Sequence, residues 1–125
     1  MLNQYPIYAT LPASDIGRAK RFYEGTLGLS ILEEREDGIL FEAGGTRVFV
    51  YSSQFAGTNQ ATAANWEVDD IEKVVSALKE AGVTFEEYDF PGLKTTNGIA
   101  ETGTDRGAWF KDTEGNILAL VQRGS

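Results

Sequence analysis

The chain has 125 residues, 42% hydrophobic and 24% charged, a formal net charge of −8, and neither cysteine nor histidine. This is the size and balance of one globular domain, but one that can form no disulfide or thiolate metal site and no Ser-His-Asp or Cys-His catalytic arrangement. The acidic balance argues against a phosphate-gripping nucleic-acid partner, and if charge steers a ligand, that ligand is neutral or cationic.

The opening stretch MLNQYPIYATLP lacks the basic-then-apolar form of a secretory signal. No apolar run downstream approaches the ~20 residues of a membrane span. A cytoplasmic protein with no membrane partner is therefore expected. YATLPA reads as a short strand. Ser14 is placed to cap a helix that presents Ile16, Ala19, Phe22, Tyr23 and Leu27 on one face, and Gly28 follows where a left-handed residue ends such a helix. Glu33, Glu34, Glu36 and Asp37 read as a solvated strand edge. GILFEAGGTRVFVYS is a strand pair turned by glycine.

Residues 54–62 form a polar linker rich in Gly, Asn, Gln and Thr. NWEV is again a short strand. Asp69 is placed to cap a second helix, with Glu72 three residues on as in a capping box and Ile71, Val74, Val75 and Leu78 as its buried stripe. Gly82 ends it. A second acidic group, Glu86, Glu87 and Asp89, stands where the first did. FPGLKTTNGIAETGTDR, residues 90–106, reads as a loop with a short strand near Gly98 to Thr102, either a lid beside a cleft or an incidental insertion. RGAWFKDTEGNILALVQ supplies the last strand pair. Its DTEGN is a hairpin turn, too short for a calcium loop.

Placing Asp15 over Asp70 brings the two halves into register. Strand, helix and three strands are used twice, with modules at about 5–53 and 63–123 in a single domain. Side chains alternate along a strand. Val48, Val50, Ala9 and Leu11 therefore face the first helix, while Tyr8, Thr10, Arg47, Phe49 and Tyr51 face away. In the second half Leu118, Leu120, Trp66 and Val68 face the helix. Ile117, Ala119, Val121, Ala63, Asn65 and Glu67 take the opposite side, and one bulge would reverse any of these.

LPASDIGRAKRFYEGTLGL followed far downstream by WFKDTEGNILALVQ resembles the vicinal oxygen chelate superfamily, which includes glyoxalase I, extradiol dioxygenases and bleomycin-resistance proteins. The resemblance spans essentially the whole chain. It implies an α+β fold in which two βαβββ modules pair into a curved mixed sheet enclosing a cleft, with helices on the outer face. It also implies a homodimer. In metal-dependent relatives His, Gln or Glu ligands come from the strand before each helix and the last strand of each module. Those positions fall here at Tyr8, Phe49, Ala63 and Ala119, which offer no ordinary ligand set. A member without metal or other cofactor is expected.

On this reading Tyr8, Thr10, Arg47, Phe49, Tyr51, Asn65, Glu67, Trp109 and Ala119 line a ligand cleft that is mostly apolar with a few polar handles. Trp109 faces it if Phe110 takes the core position. The same aromatics also read as core or interface residues, and Arg47 with Glu67 as an ion pair or rim charges. The expected function is sequestration of an aromatic or amphipathic small molecule. The alternative is a metal-free isomerase or lyase with Glu67 or Glu101 as general base.

Overall fold

The computed structural model describes residues 1–124. Each half of the chain builds its own mixed sheet, so the fold is α+β and modular. The first module runs β1 (Ala9–Ala13), α1 (Ile16–Lys20), a π-helical turn (Arg21–Thr26), β2 (Ser30–Glu34), β3 (Gly38–Ala43) and β4 (Thr46–Ser52). Its strands are ordered β1-β4-β3-β2, with β1 parallel to β4 and the others antiparallel. The second module repeats this plan with β5 (Thr62–Glu67), α2 (Ile71–Glu80), β9 (Asp105–Lys111) and β10 (Ile117–Gln122). Again the strand before the helix lies parallel to the last one.

The second module is larger than the repeat predicts. Its strand after the helix is reduced to one bridge, Phe85 to Phe110. The short strand expected near Gly98 to Thr102 is present as β8 (Ile99–Thr102), and it is joined by two strands that were not expected, β6 (Asp89–Phe90) and β7 (Leu93–Thr96), so that the three extend the sheet beyond β9. The cause is local. Asn97 and Gly98 both have positive φ, 54° and 84°, and an Asn-Gly pair with this geometry closes a two-residue hairpin whose twist matches its strands.

Both helices begin one residue later than expected. Asp15, not Ser14, accepts the Arg18 N–H at 3.0 Å, and Asp70, not Asp69, accepts the Lys73 N–H at 3.2 Å. The capping pair is the same Asp15–Asp70 pair that aligns the repeat. Ser14 is turned to the other module instead, where its N–H and hydroxyl both donate to Glu114. After Lys20 the helix widens into its π turn, where the Leu27 N–H reaches the Phe22 carbonyl at 2.9 Å. Phe22 and Tyr23, adjacent in sequence, are both buried there.

One apolar core joins the modules. Leu11, Phe22, Tyr23, Phe41 and Val50 from the first pack in the same cluster as Ile71, Val75, Phe85, Phe110 and Leu118 from the second. The alternation expected for Val48, Val50, Leu118 and Leu120 is present, all four being buried. The sheets adjoin where β1 touches β5, but the two ladders stay separate.

Candidate functional site

The faces turned away from the helices carry most of the predicted site. In the first module the row Thr10–Phe49–Leu40 crosses β1, β4 and β3 in register. Phe49 stacks on Tyr51 with ring centroids 6.2 Å apart and planes 8° from parallel. Tyr8, just ahead of β1 and 46% exposed, joins Phe49, Leu40, Arg35 and Asp37 around a hollow of about 180 Å³. Gly38 makes room at this corner: a Cβ there would stand 3.0 Å from the Phe49 Cζ and would strike the Val50 carbonyl.

The second module builds the equivalent row from Asn65, Ala119 and Trp109 across β5, β10 and β9. Ala108 and Phe110 are buried, so strand alternation turns Trp109 to the opposite face. Its indole Nε1–H donates to Thr62 Oγ1 at 3.2 Å, and Tyr88 meets the ring edge-on at 5.7 Å. Ala119 lies opposite Trp109 and is only 3% exposed. The two corners are complementary versions of one design. Leu40 on the third strand faces Phe49 on the last, whereas Trp109 on the third faces Ala119 on the last.

The charged candidates do not converge. Arg47 is exposed and stands across from Glu42. Glu67, 66% exposed, has Arg123 as its cation at 3.8 Å, so the expected Arg47–Glu67 pair is not formed. Glu101 lies elsewhere. On β8 it pairs with Arg106 at 3.2 Å, and Arg106 also binds Glu72 of α2. Glu101 thus lines a groove between α2 and the β6–β8 extension, apart from the aromatic rows. The latter part of residues 90–106 is therefore a sheet extension beside α2.

Four residues at these corners escape the sequence reading. Leu40 was legible: the two-residue Gly44-Gly45 turn sets Ala43 opposite Thr46, which forces Leu40 opposite Phe49. Tyr88 is masked by the acidic residues around it. Arg35, between two acidic neighbours in sequence, gives no signal of its place beside Phe49. Thr62 is displaced by a bulge. Ile117 pairs with Thr62 and Leu118 with Ala64, leaving Ala63 as the extra residue. Thr62, not Ala63, therefore sits by Ile117 and reaches Trp109.

A resident metal of the kind the fold family implies finds no donor set here. Tyr8, Phe49, Ala63 and Ala119 offer a single phenol, and Thr62, beside the bulge, adds one hydroxyl. Among the described residues no three acidic side chains gather as a metal site would require.

The motif residues that carry the family resemblance have a different job: they fasten the modules together. Asp112 accepts hydrogen bonds from the Tyr23 hydroxyl, from the backbone N–H groups of Glu114 and Asn116, and from the Asn116 amide. That amide also donates to the Pro12 carbonyl at 2.8 Å. Gly115, at φ 86°, lets the chain turn within this knot. Glu114, its side chain fully buried, accepts from Arg18 Nε at 2.8 Å and from the N–H groups of Ser14 and Asp15. Burial alone would raise the Glu114 carboxyl. The bonds from Arg18, Asp15 and Thr113, with the Arg18 charge, outweigh that and bring it down to about 2. Burial and the Asp112 charge push the Tyr23 phenol far up.

The chain belongs to the Glyoxalase/Bleomycin resistance protein/Dioxygenase superfamily, whose model matches residues 6–120. It is similar in structure to a glyoxalase/bleomycin resistance protein/dioxygenase from Alicyclobacillus acidocaldarius, at 17% identity and a TM-score of 0.74, covering 97% of this chain and 92% of that one. It is likewise similar to lactoylglutathione lyase from Agrobacterium tumefaciens, at 15% identity and TM-score 0.69, covering 94% and 92% of the two chains. A glyoxalase family protein from Enterococcus faecalis is 22% identical with TM-score 0.69, over 97% and 99%. At these identities the likeness is one of fold. No curated protein matches the chain in sequence.

Proposed function

We propose that this protein binds a small aromatic or amphipathic molecule, without a metal ion, on the sheet faces turned away from the helices. The observation that carries the reading is the replacement of donors by a paired aromatic lining. Phe49 and Tyr51 are stacked in one module, and in the other Trp109, met edge-on by Tyr88, lies opposite Ala119. Flat apolar walls with a few hydroxyl and amide groups, here Tyr8, Thr10, Thr62 and Asn65, hold a ring and orient it. Arg47 and Glu67 stand at the rim, where they influence approach more than affinity. No general base is needed for sequestration. Open exposure of Glu67, and the engagement of Glu101 with Arg106, favour binding over turnover.

A homodimer and a cytoplasmic setting complete the proposal. Ile7 and Leu32 leave apolar surface exposed on the first module, and a second copy is the economical cover for it. Among the described residues no helix is long and apolar enough to cross a membrane.

Calorimetric titration with N-phenyl-1-naphthylamine, a neutral amphipathic aromatic, tests the proposal. Saturable binding that weakens roughly tenfold in Phe49→Ala and in Trp109→Ala is expected, the loss of one aromatic contact being worth about 1–1.5 kcal/mol. Binding indifferent to both substitutions would refute the assignment.

A further inference from the structure

The helix side of the sheets holds a second concavity that the ligand reading does not use. It lies where the end of the first module's helix meets α2, has a volume of about 110 Å³, and is lined by Leu27, Trp66, Val74, Leu78, Phe110 and Leu120 among others. No polar side chain lines it. We propose that this crevice is a binding site for a small, uncharged apolar molecule: a single unsubstituted ring or a compact branched alkyl group.

Three observations select that occupant. The first is size and lining together. A closed protein cavity of about 150 Å³ walled by aliphatic and aromatic side chains takes up benzene or xenon, and this crevice, open to solvent on one side, matches it in lining and approaches it in volume. Water inside would find no hydrogen-bonding wall, so an apolar guest gains by displacing or replacing it. The second is rigidity. The floor is Trp66 stacked on Phe110 with centroids 6.2 Å apart, and Phe110 is wedged against Phe85 at 5.4 Å. Such a floor cannot collapse into the space as a lone leucine would. The third concerns the surroundings. The neighbouring helix positions Arg21, Glu24, Lys73 and Glu80 are exposed and charged. Seven side chains line the crevice, against the roughly 20–30 residues a side of a standard protein interface, so it fits a small guest and not a protein partner.

Because Leu27 comes from the first module and the rest of the wall from the second, a guest here touches both modules and stabilises their union. This site is independent of the proposed site on the opposite face, and either can fail without the other.

Benzene provides the direct probe. In a Trp109→Phe background Trp66 is the only tryptophan, since the chain has two. Titration with benzene is expected to change Trp66 emission saturably. The response should be lost, or weakened at least tenfold, in Val74→Phe or in Leu27→Phe, each of which fills the crevice from a different wall. In the unmodified protein, methyl resonances of Leu27, Val74 and Leu78 should shift with the same midpoint, so the test survives if a filled variant does not fold. A strictly linear response, shifts centred elsewhere, or a response that persists in folded Val74→Phe and Leu27→Phe would overturn the proposal. So would dimerisation that buries Trp66 and excludes benzene, which would give the crevice to a second copy of the chain.

Discussion

Tyr23 donates its phenolic hydrogen to the Oδ2 of Asp112 across 2.5 Å, joining the first module's helix to the last hairpin of the second. The residues are 89 positions apart and both buried. Asp112 cannot be left without this partner cheaply, because a buried carboxylate needs its hydrogen bonds to offset lost hydration. Removing the hydroxyl alone, in Tyr23→Phe, is therefore expected to lower stability by about 1.5–3 kcal/mol, the range for a bond to a charged group. Urea unfolding measures this as a lower midpoint with an unchanged slope.

Glu114 makes the same junction sensitive to acid. Its carboxyl lies below the ordinary 4.5, at about 2, in the folded chain. A carboxyl held down in this way carries fewer protons folded than unfolded. Its stabilisation is thus complete above the unfolded value and drains away as pH falls toward the folded one. The depression corresponds to about 3 kcal/mol. Glu114→Gln should be less stable than the parent at neutral pH, and its stability curve should be flatter between about pH 5 and pH 2. Denaturant melts across that range give both quantities.

The two glycines beside the aromatic corners predict losses of different size. A Cβ on Gly38 meets backbone, standing 2.9 Å from the Tyr51 Cα as well as striking the Val50 carbonyl. Neither can move without displacing β4, so Gly38→Ala should cost roughly 2 kcal/mol or more, as overpacking does. On Gly107 the nearest atom is the Trp109 Cη2 at 3.0 Å, the end of a side chain. Gly107→Ala should cost less than Gly38→Ala and announce itself as a shift in tryptophan emission. Equal losses in thermal stability would show the indole to be as fixed as the strand.

Much of this architecture was legible because it is periodic. Asp15 and Asp70 align the repeat and prove to be its two caps; Gly28 and Gly82 end their helices with φ of 79° and 98°. Phe49, Tyr51 and Trp109 face as alternation requires. The departures are non-local or depend on a single residue. Ser14 and Asp15 are both competent caps, and the contacts that hold this segment come from Glu114, about a hundred residues away. Asp69 and Asp70 are identical side chains, so composition cannot choose between them. The bulge at Ala63 leaves no mark in a run of small residues. Asn97-Gly98 was a readable hairpin signal, hidden by the loop-like composition around it. The pairing of Glu67 with Arg123 instead of Arg47 depends on where the C-terminal strand ends, which alternation does not specify.

The central claim is that aromatic walls have taken the place of metal donors. It is tested most directly by titrating N-phenyl-1-naphthylamine into protein stripped with a chelator, and again after adding zinc or manganese. The account predicts one dissociation constant under all conditions and no metal retained by the purified protein. Binding that appears only with the ion, together with one equivalent of metal per chain, would contradict it.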